Sequence, residues 1–204
     1  MEWSVFDSRG RRKYMVPEER AAFLRAAYAL GAETATFCAV LSFTGARVSE
    51  ALALTPLDLD EVNGTINIRT LKQRKTGAVR DVPVPRELFP FLDGVHLWRA
   101  ARQDLASVNR RLWVFSRTTA WRRVRQVAKR AGIPDYLSHP HALRHSFGAT
   151  ARINEVPIEL IQFCLGHVRI ETTYIYTKVV GPHQRDFIGR TWRESLEFLR
   201  ISAG

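Results

Sequence analysis

Tyr176 follows His167 by nine residues in LGHVRIETTYIYT, and a pair of basic side chains, His141 and Arg144, stands upstream in HALRH. A second arginine, Arg47, lies in TGARVSE, and Lys75 lies in a KTG turn between two strand-like segments. These residue types suit the breaking of a phosphodiester without a metal. Charge grows on the phosphate oxygens in the transition state, so fixed cationic donors aimed at them are the main requirement. Arginine meets it best, because its planar fork binds two oxygens at once and keeps its charge when partly desolvated. Arg47 and Arg144 are therefore assigned to the non-bridging oxygens, and a spacing of three puts His141 on the same helical face as Arg144. A phenol that attacks phosphorus forms an ester that conserves the bond energy and can be reversed by an incoming hydroxyl. Tyr176 and Tyr174 both offer one, and with an ordinary pKa of about 10 either needs a base or a strongly positive site.

The charge balance points the same way. The 204 residues carry a formal net charge of +11, with a sequence pI near 10.4. Residues 99–130 hold ten Lys or Arg against one acid, Asp104. Nucleic acid is the partner such a footprint favours, with a generally basic solvated surface as the competing reading. The length allows a single domain with a sizeable core. Cys38 and Cys164 sit among apolar residues, where a thiol behaves as a small hydrophobe, so neither a disulfide nor a reactive thiol is expected. The sequence contains neither a signal-peptide core nor a run of roughly 20 apolar residues, so the expected location is cytoplasmic, with the nucleoid.

Positioning these residues requires mostly helices. Pro17, Glu18 and Glu19 read as a first helical turn, followed by apolar Ala21, Phe23, Leu24 and Ala27. A second helix is expected from about Ala32 to Phe43, ended by Thr44-Gly45, and Val48, Ala51, Leu52 and Leu54 form the apolar face of the next. Val62-Asn63-Gly64 is a turn before TINIRTL, while Val79, Val82 and Val84 suggest a partner strand, which leaves Lys75 at a hairpin tip. Trp113–Phe115 is a candidate for a third strand. Beyond Thr118 the chain reads as helices broken at Gly132-Ile133-Pro134, Val156-Pro157 and Gly181-Pro182. The fold class is α+β, mostly helical.

TGARVSEALAL, the KTG between strands, HALRHSFGA and LGHVRIETTYIYT, in that order, resemble the tyrosine recombinase (phage integrase) family over roughly residues 17–180. The resemblance implies the catalytic-domain fold of that family, with a small antiparallel three-stranded sheet, acting on double-stranded DNA through a 3′-phosphotyrosyl intermediate in integration, excision or inversion. Family spacing selects Tyr176 over Tyr174 as nucleophile. It gives His141 the role of base, His167 that of a hydrogen-bond donor to the phosphate, and Lys75 that of the acid for the departing 5′ oxygen, with Lys72 as the alternative. Glu50, one turn after Arg47, is expected to hold an active-site group in place. No cofactor and no metal are implied. The expected partners are DNA and further protomers in a tetramer, with room for accessory DNA-bending proteins and no membrane. His145 reads as a core or supporting histidine and His139 as loop structure, while His96 and His183 carry no signal.

Residues 1–16 are expected to form an arm or linker, 17–180 the catalytic domain, and 181–204 a helical segment. Phe187, Ile188, Trp192, Leu196, Leu199 and Ile201 recur there at helical spacing, and would cover either this domain or a neighbouring protomer. Many family members carry a core-binding domain before the catalytic one, so the chain reads as a catalytic fragment or as a short single-domain recombinase. Three other functions compete with strand exchange. A metal-dependent nuclease would draw on His139, His141, His145 and His167 but lacks clustered carboxylates. A non-catalytic DNA-binding regulator is opposed by the six intact positions. A type IB topoisomerase shares the chemistry.

Overall fold

Proline at a helix start gives up a backbone donor that the first turn does not use. Pro17 therefore opens α1 (Pro17–Tyr28), and the Glu19 carboxylate accepts the Val16 backbone N–H at 2.9 Å. Phe23, Ala26 and Ala27 are buried, whereas Ala21 is exposed. The structure, a computed structural model, describes residues 4–70 and 78–179. Helix α2 (Ala32–Thr44) is buried on all sides, as a helix apolar around its circumference must be. Gly45 closes it, and the chain turns into α3, a single turn of Val48–Ala51. Leu52 and Leu54, expected on that helix, reach the core from the turn beyond it.

Three antiparallel strands follow, β1 (Leu59–Asp60), β2 (Thr65–Arg69) and β3 (Val79–Pro83), in the order β1-β2-β3. Asp60 makes the turn, its carboxylate accepting the Asn63 backbone N–H at 3.0 Å and the Asn63 side-chain amide at 2.7 Å. The register pairs Ile66 with Val82 and Ile68 with Arg80, so β3 buries Arg80 and Val82 and turns Val79 outward. The third strand is thus Leu59–Asp60 and not Trp113–Phe115. The Trp113 indole N–H donates to Thr36 Oγ1 at 3.1 Å and its ring meets Phe37 edge-on, which ties that segment to α2 rather than to a sheet edge. Lys72 and Lys75, between β2 and β3, lie outside the described residues.

Helices α4 (Leu88–His96), α5 (Trp98–Gln103), α6 (Arg117–Arg130), α7 (Pro140–Ile153), α8 (Ile158–Leu165) and α9 (Glu171–Tyr174) complete the order, with a 3-10 turn at Ile175–Lys178. Ser116 caps α6 by accepting the Thr119 N–H at 3.1 Å. The helical period then separates its faces, burying Ala120, Val124, Val127 and Ala128 and exposing Arg117, Arg122, Arg125, Lys129 and Arg130. The main core gathers around α2, and a second cluster joins Val5, Ala149, Ile161, Leu165, Ile175, Tyr176 and Val179.

Residues 4–16, read from the sequence as an arm or linker, fold back on this second cluster. Phe6 bridges Arg12, Val5 is fully buried, and the Met15 N–H donates to Ser146 Oγ at 2.7 Å. Cys38 and Cys164 are buried free thiols, and burial pushes the Cys38 thiol up to about 12. No helix among the described residues is long and apolar enough to cross a membrane. The segment 181–204 lies outside the described residues.

Candidate active site

A cleft of about 840 Å³ opens where α3, α7, the end of α8 and the Ile175–Lys178 turn converge. Arg47, Glu50, His141, Arg144, His167 and Tyr176 all line it, so every described residue that the sequence singles out as catalytic or supporting meets in one place.

Arg47 stands at the N-cap of α3, where Gly45 has just ended α2. Glu50 fixes it twice, since one carboxylate oxygen accepts Arg47 Nη1 at 2.7 Å and the other accepts the Arg47 backbone N–H at 3.0 Å. The second oxygen also takes Arg80 Nη2 at 2.6 Å. Burial opposes the Glu50 charge, but the Arg80 cation and the Arg47 donors outweigh it and hold the carboxyl below its ordinary range. Arg80 was missed in the sequence. Strand parity would have found it, because an arginine two positions before Val82 must face the same way.

Arg144 is 5% exposed and makes two backbone contacts, Nη1 to the Gly45 carbonyl at 2.8 Å and Nη2 to the Leu165 carbonyl at 2.5 Å. It therefore ties the end of α2 to the end of α8. Burial, followed by the nearby Arg47 cation, pushes it down to about 10, so it remains charged at neutral pH. Two of its five N–H groups are engaged by these carbonyls, which leaves donors for a cleft ligand. His167 follows Gly166, the left-handed cap of α8 (φ 61°), and its Nδ1 lies 2.8 Å from Thr173 Oγ1. Burial and then the Arg144 and Arg47 charges push His167 down to about 3, which keeps it neutral.

Tyr176 is 1% exposed, and its ring lies flush against Gly148 of α7. A Cβ at Gly148 would stand 2.4 Å from the ring, so only glycine leaves room for it. Burial pushes the phenol up to about 12, against the opposing pull of Arg144. Its hydroxyl lies 3.2 Å from Nδ1 of His145, whereas His141 is exposed at the rim. His145 itself is driven down to about 3 by burial and then by His141 and Lys13, and is neutral. The three rings form a row, with centroid separations of 6.1 Å for Tyr176 to His145 and 5.9 Å for His145 to His141. The i, i+4 spacing of the two histidines was a usable signal for this contact. Tyr174, by contrast, is 49% exposed and does not line the cleft.

Lys13 and Ser4 of the N-terminal segment and Arg117 and Trp121 of α6 complete the walls, and the Lys13 ammonium donates to the Ser4 carbonyl at 3.0 Å. His139 caps α7 by accepting the Ala142 N–H at 3.2 Å, which leaves Nε2 to donate to the Tyr136 carbonyl at 3.1 Å. His96 packs against Trp113 beside Thr36, away from the cleft. Among the described residues, no three His, Cys, Asp or Glu side chains are grouped as metal ligands would be.

A sequence model of the phage integrase family matches residues 13–181. The tyrosine recombinase XerA of Pyrococcus furiosus is 31% identical over 153 residues, which cover 72% of this chain and 50% of that protein. The tyrosine recombinase XerD of Mycobacterium tuberculosis is 39% identical over 149 residues, covering 69% and 46%. This chain thus spans about half the length of the curated relatives it matches. The crystal structure of a XerA recombinase superposes with a TM-score of 0.70 at 30% identity, over 87% of this chain and 64% of that one. The mostly helical fold with its three-stranded antiparallel sheet is that of tyrosine recombinase catalytic domains, and the chain belongs to the phage integrase family.

Proposed function

We propose that this chain acts as a site-specific DNA recombinase that cleaves and rejoins strands through a 3′-phosphotyrosyl intermediate. The carrying observation is the meeting of two arginines, a neutral histidine and a buried phenol in one basic cleft. In this reading the scissile phosphate lies between Arg47 and Arg144, whose donors take its non-bridging oxygens. The Tyr176 oxygen attacks phosphorus, the bond to the 5′ oxygen breaks, and the DNA is left esterified to the protein at its 3′ phosphate. The 5′ hydroxyl of another strand reverses the step on a new partner.

Three side chains handle the protons in this reading. His141 at the rim is the base that the family resemblance implies, and the neutral His145, 3.2 Å from the phenol oxygen and packed edge-on against His141, lies between the two. Lys75, with Lys72 as the alternative, supplies the proton to the departing 5′ oxygen, a role that suits an ammonium and that the family resemblance implies. His167 donates to the phosphate from Nε2 while Thr173 serves its Nδ1. Arginine charge takes the place of a metal, so the reaction runs in EDTA.

Duplex DNA is the partner that the net charge of +11 and the exposed arginines of α6 favour. The XerH site-specific recombinase, a structural neighbour, has been crystallised bound to its difH substrate. In the complete reaction four protomers assemble on two synapsed sites, within a cell compartment that holds the chromosome. The test is a nicked suicide duplex carrying the recombination site, mixed with the purified protein. Tyr176→Phe should abolish the covalent adduct while Tyr174→Phe retains it. An adduct that survives Tyr176→Phe, or that disappears in EDTA, would overturn the reading.

A further inference from the structure

Arg80 is placed where a charge is least expected. It occupies an inward-facing position of β3 beside Val82, opposite Ile68 of β2, and its side chain is 4% exposed. All three of its nitrogens are engaged. Nη2 donates to Glu50 Oε2 at 2.6 Å, Nη1 to Thr70 Oγ1 at 3.0 Å, and Nε to the Cys164 carbonyl at 2.9 Å. The guanidinium also packs on Gly166, where a Cβ would come within 2.9 Å of Nη1.

These partners belong to opposite walls of the cleft. Glu50 is the residue that holds both the side chain and the backbone N–H of Arg47. Cys164 lies in the last turn of α8, and Gly166 immediately precedes His167. One planar guanidinium therefore spans from the carboxylate that aims Arg47 to the helix end that aims His167. An ion pair this deeply buried adds little stability over apolar residues of the same volume, so what it aligns matters more than what it stabilises. Lysine could not replace it, because a point charge on a flexible stem cannot satisfy three partners at fixed angles.

We propose that Arg80 is a positioning residue for strand cleavage: it sets Arg47, through Glu50, and His167, through the end of α8, at a fixed separation around one phosphate. This rests on the reading of the cleft as a phosphoryl-transfer site, but the alignment itself can be measured without turnover.

Arg80→Lys keeps the buried charge balanced against Glu50 and is the variant to make. Hydrogen–deuterium exchange on the DNA-free protein should then quicken at two separated places, the Arg47 backbone amide and the Gly166-His167 turn, with α1 and α6 unchanged. Quickening at one place only, or throughout the chain, would overturn the proposal. On the nicked duplex, Arg80→Lys should slow adduct formation on the order of a hundredfold, the usual effect of a misplacement of about 1 Å. DNA affinity should stay within about threefold, and combining Arg80→Lys with Arg47→Ala should cost far less than the product of the two single effects. Multiplicative losses would show that Arg80 acts elsewhere, even where the cleft reading stands. Loss of the adduct reading itself, with paired exchange intact, would leave the alignment standing without that chemistry.

Discussion

A partly buried neutral histidine has one proton to place on two nitrogens, and Thr173 decides where it goes on His167. The Thr173 hydroxyl is fully buried at 2.8 Å from Nδ1, so when it donates there the ring proton sits on Nε2, the nitrogen needed by a phosphate. Thr173→Val removes that donor with little change in volume. We expect adduct formation to fall by tenfold or more while the protein still binds DNA, the range seen when a partner that orients such a ring is removed. Unchanged single-turnover cleavage in Thr173→Val would detach the tautomer from the chemistry. At the same scale, Arg47→Ala or Arg144→Ala should each slow cleavage by about a hundredfold to a thousandfold, the cost of deleting one preorganised donor. Arg144→Ala should also lower the melting temperature, whereas Arg47→Ala should lower it less. Arg144 holds the Gly45 and Leu165 carbonyls, while Arg47 is a quarter exposed and, among the described residues, its side chain holds Glu50.

At the scale of elements, α7 carries three site residues on one face and makes a slot for a fourth. Gly148→Ala sets two effects against each other. Alanine gains about 0.5–1 kcal/mol inside a helix, but overpacking a filled core costs about 1–3 kcal/mol. With the Tyr176 ring atoms at 2.4–2.7 Å from the new Cβ, the steric cost should win. The expected result is a lower melting temperature together with loss of the adduct, measured by thermal unfolding and by the suicide duplex. A more stable protein with normal cleavage would mean that the ring rests elsewhere in solution. Gly166→Ala combines two costs at the end of α8: a left-handed residue of about 1–2 kcal/mol, and the approach of the Arg80 guanidinium to 2.9 Å.

The molecule as a whole should respond to pH through its partly buried histidines. His145 and His167 are held down to about 3, and His96 and His139 are also lowered by burial. Each group's folded pKa lies below its unfolded value of about 6.5, so the unfolded chain binds more protons below that pH. The stability these groups contribute is fully present above about pH 6.5 and is lost as pH falls towards 3, by up to about 1.4 kcal/mol per pH unit for each extra proton taken up on unfolding. Urea titrations from pH 7 to pH 4 should show a falling midpoint, with a shallower fall in His145→Gln. A midpoint flat across that range would place these imidazoles in water. Affinity for duplex DNA should likewise fall with salt, at roughly 0.9 log units per log unit of salt for each phosphate neutralised. Tight binding insensitive to salt would move recognition from phosphates to base edges.

Much of this protein could be read without coordinates, for reasons that are local. The recurrence of apolar residues located α1, because one buried stripe against solvent imposes its own spacing, a continuous apolar run marked α2, Thr44-Gly45 ended it at a left-handed glycine, and Gly and Pro breaks divided the helices beyond Thr118. The motifs around Arg47, Arg144, His167 and Tyr176 supplied the residues of the cleft, and family spacing separated Tyr176 from Tyr174, which the structure leaves half-exposed. Long-range contact decided the rest. The third strand is Leu59–Asp60 because Trp113 found Thr36 and Phe37 across the core, and no local pattern in Trp113–Phe115 could announce that. Arg80 became structural, and the phenol came to rest on His145 rather than His141, only when β3, α3, α7 and the end of α8 met. The partners of a buried charge or phenol are chosen by whichever elements desolvate it together, and that choice is made in three dimensions.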